Sequence, residues 1–154
     1  MAATAIGYRP LRDGSWTCIR RLSDVSVSDA DVEYLDVEDL VDLARMLLGD
    51  PPPIRDMGLL GSAAARPQTT VFGEDAYPDI WTKAAAFLQS VVKNHALIDG
   101  NKRLGWLSTA VFLELNGIVM EHATNDDVYQ LVMGVAAGAR TVEEIAGGLR
   151  VLVR

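Results

Sequence analysis

Nine consecutive residues, His95-Ala96-Leu97-Ile98-Asp99-Gly100-Asn101-Lys102-Arg103, put an imidazole, a carboxylate, an amide and two cations between two long, mainly apolar segments. Lys102 and Arg103 stand where the second segment would start as a helix. There the aligned peptide dipoles leave about half a positive charge, and cations are disfavoured unless an anion binds. Unpaired N–H groups at a helix start, a point-charge ammonium and a forked guanidinium all favour a polyanion such as a phosphate chain. Asp99 is a hard oxygen ligand able to hold Mg²⁺ against such phosphates. Histidine titrates near neutral pH, so His95 can take a proton from an incoming hydroxyl. Base, metal ligand and phosphate cradle are the parts that phosphoryl or nucleotidyl transfer needs. A blander reading is also open, because Asp99-Gly100 is ordinary turn chemistry and the stretch could be a polar corner between helices. That reading explains the glycine and one aspartate but leaves the two cations unexplained.

The flanking segments have the periodicity to position this stretch. The apolar residues Ile80, Ala84, Phe87, Leu88, Val91 and Val92 predict a helix over 76–94, with Pro78 tolerated in its first turn. After the polar stretch, Leu104, Leu107, Ser108, Val111, Phe112 and Leu115 line one face of a helix over about 101–116, and Trp106, Ala110 and Leu113 another. A helix apolar nearly all round is buried, which makes it the expected centre of the fold. Asn116-Gly117 is its stop signal.

Upstream, Asp36 is a good N-cap for a helix over 37–48 that Gly49 ends, and Asp50-Pro51-Pro52-Pro53 breaks the chain. A short helix over 57–65 runs into Arg66-Pro67-Gln68-Thr69-Thr70-Val71-Phe72-Gly73, which favours extended structure and reads as a loop or small hairpin. Downstream, one helix is capped near Asn125 and runs to about Ala137, and a capping box, Thr141 with Glu144, opens a last one to about Val153. The fold class is therefore all-α: a compact helical domain over 34–154 with a short flap at 66–73. Residues 1–33 form an N-terminal extension, either carrying a β-rich piece around Trp16-Thr17-Cys18-Ile19 or lying upstream of the true domain start.

Composition narrows the function classes. The net charge of −7 argues against a general nucleic-acid binder, whose footprint is a basic face. Cys18 is the one cysteine, and His95 and His122 are the two histidines, so a disulfide framework or a zinc site lacks ligands. No signal-peptide core and no apolar run of about 18 residues is present, so a cytoplasmic protein with no membrane partner is expected. Trp81 and Trp106 sit among apolar neighbours as core residues, His122 reads as a surface histidine beside a helix cap, and Asp36, Glu38, Asp39 and Asp42 as solvating charge. Lys93 and Arg140 flank the polar stretch at distances the sequence does not give.

His95-x-x-x-Asp99-Gly100-Asn101-Lys102-Arg103 resembles the signature of the Fic/Doc family. Its Asn-Lys-Arg ending is similar to the Doc, or death-on-curing, branch, where adenylyl-transferring Fic proteins have Asn-Gly-Arg. The resemblance extends over about 34–153, including Gly134-Val135-Ala136-Ala137-Gly138 before the last helix. It implies an enzyme that uses ATP and Mg²⁺. His95 would activate a Ser or Thr hydroxyl of a protein substrate, and Asp99 would bind the metal. Asn101, Lys102 and Arg103 would contact the nucleotide phosphates, with the Gly100 and Asn101 backbone lining an anion hole. Arg66, Thr69, Thr70, Val71 and Phe72 would form the flap that registers the target, pairing with it as an added strand. In the Doc branch the implied reaction is phosphorylation of a translation factor, elongation factor Tu, in a toxin–antitoxin module with a cognate antitoxin as partner. An adenylyl transferase, or an inactive Fic-fold binding module, are the alternatives. Two departures stand out. Leu97 replaces the family's usual loop-anchoring Phe, and the Ser/Thr-x-x-x-Glu-Gly/Asn autoinhibitory helix has no match in the chain.

Overall fold

The computed structural model describes residues 6–10, 16–20 and 31–153. Asp36 and Asp39 cap the first helix reciprocally: each carboxylate accepts the other's backbone N–H at 2.9 Å, and α1 runs Val37–Leu48 before Gly49 breaks it at φ 106°. After the prolines, the Asp56 carboxylate accepts the Leu59 N–H at 3.0 Å and opens α2, Met57–Ala65. A tight turn at Arg66–Gln68 leads into a two-stranded hairpin, β3 (Thr70–Val71) and β4 (Glu74–Asp75) once the N-terminal pair is counted first. That pair is β1 (Ile6–Pro10) antiparallel to β2 (Trp16–Arg20), with Tyr8 opposite Cys18. The β-rich piece expected around Trp16–Ile19 therefore falls inside β2, while most of the remaining extension lies outside the described residues.

The next helix begins later than its sequence pattern predicts. α3 spans Ile80–Lys93, not 76–94, because Asp79 accepts the N–H groups of both Trp81 and Thr82 and so fixes the cap there. Ala76 is used elsewhere: its N–H goes to the Thr69 carbonyl at 2.9 Å and closes the base of the hairpin. Pro78 thus precedes the helix. α4 covers Asn101–Leu115, α5 Asn125–Ala136 capped by Thr124, and α6 Val142–Val153 behind the Thr141–Glu144 box.

Helix α3 touches α2, α4, α5 and α6, and its residues 83 to 88 are all buried. It is more fully covered than α4, which buries one broad stripe, Leu104, Gly105, Ser108, Thr109, Phe112 and Leu113. Trp106, Leu107, Val111 and Leu115 are only half-buried. The two helices meet closely because Gly105 has no side chain: a Cβ there would lie 2.6 Å from Val92 Cγ2. Phe87 packs edge-on against Phe112, and Tyr34 stacks on that same ring. The domain is tied at its start by Asn116, whose amide bonds both the N–H and the carbonyl of Glu33 at 2.9 Å. Among the described residues no helix is long and apolar enough to cross a membrane.

Candidate active site

The polar stretch is the connection between α3 and α4, and it turns on two left-handed residues. His95 follows the last turn of α3 at φ 51°, and Gly100 precedes α4 at φ 88°. The glycine is required twice over, since a Cβ at Gly100 would also come within 2.7 Å of both Leu48 methyls. Between these points Leu97 is 2% exposed and joins the core. Leucine therefore does the anchoring that the family usually gives to phenylalanine, and its neighbours on the loop face solvent: His95, Ile98 and Asp99 are exposed.

Residues 53 to 56 hold the loop from outside as an edge strand would. Ile54 and Leu97 form an antiparallel bridge, the Ile98 N–H goes to the Pro53 carbonyl at 2.8 Å, and the Arg55 and Asp56 N–H groups converge on the Ala96 carbonyl. From inside, the Asn101 amide brackets Leu97, accepting its N–H and donating to its carbonyl, both at 3.0 Å. That side chain is committed to the loop, so it positions the site, and what Asn101 offers an anion is its backbone N–H.

The start of α4 carries no side-chain cap. The first intrahelical bond to reach back is from the Leu104 N–H to the Gly100 carbonyl, which leaves the N–H groups of Asn101, Lys102 and Arg103 pointing out of the helix end. The Gly100 N–H is not available to an anion hole in this arrangement, because the Asp99 carboxylate accepts it at 2.7 Å. The other Asp99 oxygen lies 3.7 Å from an Arg103 guanidinium nitrogen, a loose pair between side chains 88% and 60% exposed. Such a pair contributes little to stability and can open for a ligand. Lys102 is exposed beside it. His95, Asp99, Lys102 and Arg103 thus share one solvent-facing loop and helix start, the juxtaposition a polar corner would have no need of.

A magnesium ion fits this donor set on chemical grounds. The site offers one exposed carboxylate, and Mg²⁺ is commonly held by one or two carboxylates with phosphate oxygens and water completing the shell. A closed protein-only metal centre is not present among the described residues, where no cluster of three or more His, Cys, Asp or Glu side chains occurs.

The segment expected to act as a flap is the β3–β4 hairpin, with Thr70 opposite Asp75 and Val71 opposite Glu74. Phe72 and Gly73, at φ 52° and 83°, form the two-residue turn that hairpin twist demands. Phe72 is 102% exposed and Val71 and Thr70 are exposed too, so the tip presents apolar surface and an open strand edge to solvent. Thr69 is used locally, its hydroxyl donating to the Arg66 carbonyl. Arg66, expected on the flap as a contact residue, is a strut instead. Its guanidinium bonds the Tyr77 hydroxyl at 2.6 Å, Ser90 Oγ at 2.8 Å and Gln89 Oε1 at 3.4 Å, fastening the hairpin root to α3. No periodicity or motif marks the buried Lys83, which donates to Asp75 Oδ2 at 2.8 Å and to the Tyr77 carbonyl at 2.6 Å beneath the same hairpin.

The other flanking residues sort themselves. Trp81 and Trp106 pack against the core. Lys93 ends α3, and its Nζ reaches the α5–α6 turn, 3.3 Å from where a Gly138 Cβ would stand. Arg140 and His122 line a separate cleft of about 330 Å³ between α5 and α6, which no residue of the polar stretch enters.

A histidine loop feeding an uncapped helix start, inside an all-α bundle that also carries a small hairpin, defines the class: this chain belongs to the Fic/Doc family, whose model matches residues 34–113. It is similar to Toxin Doc of Mycolicibacterium smegmatis (strain ATCC 700084 / mc(2)155), with 54% identity over 86 residues. The aligned part covers 56% of this chain and 66% of that relative, just under two thirds of its length.

Proposed function

We propose that the protein is a Doc-type toxin that transfers the γ-phosphoryl group of ATP to a Ser or Thr hydroxyl of a translation factor, elongation factor Tu being the candidate, and that a cognate antitoxin restrains it. The observation that carries this reading is the shared exposure of His95, Asp99, Lys102 and Arg103 around an uncapped helix start. The similarity to a protein named Toxin Doc supports the same branch.

In this reading the exposed N–H groups of α4, with Lys102 and Arg103, bind and orient the phosphate chain. His95 receives the proton of the attacking hydroxyl as the new O–P bond forms, and the bond from the γ-phosphorus to its bridging oxygen breaks, leaving ADP. Asp99 would hold magnesium, which when bound neutralises charge on the phosphates. Lys102 is an extra cation where adenylylating relatives of the family have glycine, and a charge at that position favours an ATP placed with its γ-phosphate toward the hydroxyl. The exposed edge of β3 and the Phe72 side chain receive the target segment.

Purified protein, elongation factor Tu and Mg²⁺ with ATP labelled at either the α- or the γ-phosphate tests the reading directly. Label from the γ position on the factor, absent in His95→Ala, is the expected result. Label from the α position would replace phosphoryl with adenylyl transfer. No label from either, together with growth inhibition undiminished in His95→Ala, would make the chain a binding module.

A further inference from the structure

The Arg55 side chain reaches across to the carbonyl of His95, donating from Nε at 3.1 Å and again from Nη2. Among the described residues no other hydrogen bond reaches that carbonyl, which lies just past Asn94, the C-cap of α3. The peptide it fixes is also the unusual one: His95 is a non-glycine residue at φ 51°, a conformation that the surroundings must hold in place. Two further bonds come from the same short segment, where the Arg55 and Asp56 N–H groups take the next carbonyl, that of Ala96. Consecutive carbonyls of the loop are thus held by one stretch, and Asp56 in turn is pinned as the cap of α2. A guanidinium at this point also sits at the negative end of the α3 dipole, where a cation is favoured.

We infer that Arg55 is a positioning residue for the reaction: through its forked bond to the His95 carbonyl it sets the direction from which the imidazole meets the attacking hydroxyl. The inference rests on His95 being the base. Arg55 itself is exposed and none of the buried core residues, so its removal should leave the core in place while freeing the backbone that carries the imidazole. A single lysine could replace one of the two donors but not the fork.

The test compares wild type, Arg55→Ala, Arg55→Lys and His95→Ala for transfer of label from ATP to elongation factor Tu, scoring both α- and γ-label so that the outcome does not depend on which group moves. For Arg55→Ala the expected result is a fall in kcat of about 10- to 100-fold, with KM for ATP within about twofold, an unchanged melting temperature, and partial recovery of kcat on adding millimolar guanidinium ion. Arg55→Lys should lie between Arg55→Ala and wild type. Wild-type kcat in Arg55→Ala with an inert His95→Ala would overturn the positioning role alone. Transfer retained by His95→Ala would instead overturn the functional reading beneath it. Loss of the folded far-UV spectrum in both Arg55 variants would make the residue a folding element and overturn the inference as well.

Discussion

At the scale of single residues, the site depends on small and apolar side chains as much as on reactive ones. His95→Ala is expected to lower transfer by at least about 100-fold, the usual worth of a general base, with an unchanged circular dichroism spectrum because the ring is exposed. Gly100→Ala should behave in the opposite way. It strains a left-handed backbone and drives a methyl into Leu48, so a loss of about 1–3 kcal/mol in stability is expected from chemical denaturation. Leu97→Ala, deleting a side chain that is buried in the core, should cost about 2–5 kcal/mol. Leu97→Phe tests whether this chain has reshaped the anchor pocket: where the surrounding packing is already filled by leucine, the larger ring should destabilise by about 1–3 kcal/mol.

At the scale of elements, the flap divides into a root that is bound and a tip that is free. Arg66 and Lys83 fasten the root, one through three side chains of the body, the other from a buried position onto Asp75 and the Tyr77 carbonyl. Arg66→Ala is therefore expected to speed amide hydrogen exchange selectively over residues 69–76, while the amides of α3 and α4 keep their protection. Phe72 has nothing to lose in the folded state. Phe72→Ala should change stability by no more than about 0.5 kcal/mol, and a rise in KM for the protein target, with KM for ATP unmoved, would mark the ring as part of target docking.

At the scale of the whole molecule, the loop is held between two rigid supports, the α3–α4 pair and the segment leading into α2. The pair depends on Gly105, where even a methyl would collide with Val92, so Gly105→Ala should lower the melting temperature without touching a reactive group. Just before residue 34, where the helical domain is expected to begin, the backbone of Glu33 is bracketed by the Asn116 amide. We expect a chain beginning at Leu35 to melt about 4 °C or more below one beginning at Asp31, since it loses the two partly buried bonds between the Asn116 amide and the Glu33 backbone. Both predictions are read from a thermal scan.

Local signals were enough to mark the helices, because caps and periodicity are properties of neighbouring residues. Asp36, Asp56 and Thr141 with Glu144 cap where their side chains can reach N–H groups three residues on, and α1 and α2 start and stop where the sequence predicts. The reactive stretch was legible for the same reason, since its residue types are contiguous. What contacts between distant segments decide could not be read this way. Ala76 was spent closing the flap, which moved the start of α3 to Ile80, and Arg66 turned inward onto Tyr77 and Ser90. Arg55 lies 40 positions from the carbonyl it holds. The sequence by itself determined an all-α chain with a histidine, a carboxylate and two cations packed around one helix start. Only the tertiary structure decided which of those groups face solvent, that the Asn101 amide is bonded to the Leu97 backbone, and that Arg55 grips the His95 carbonyl, because each follows from backbone brought together by packing.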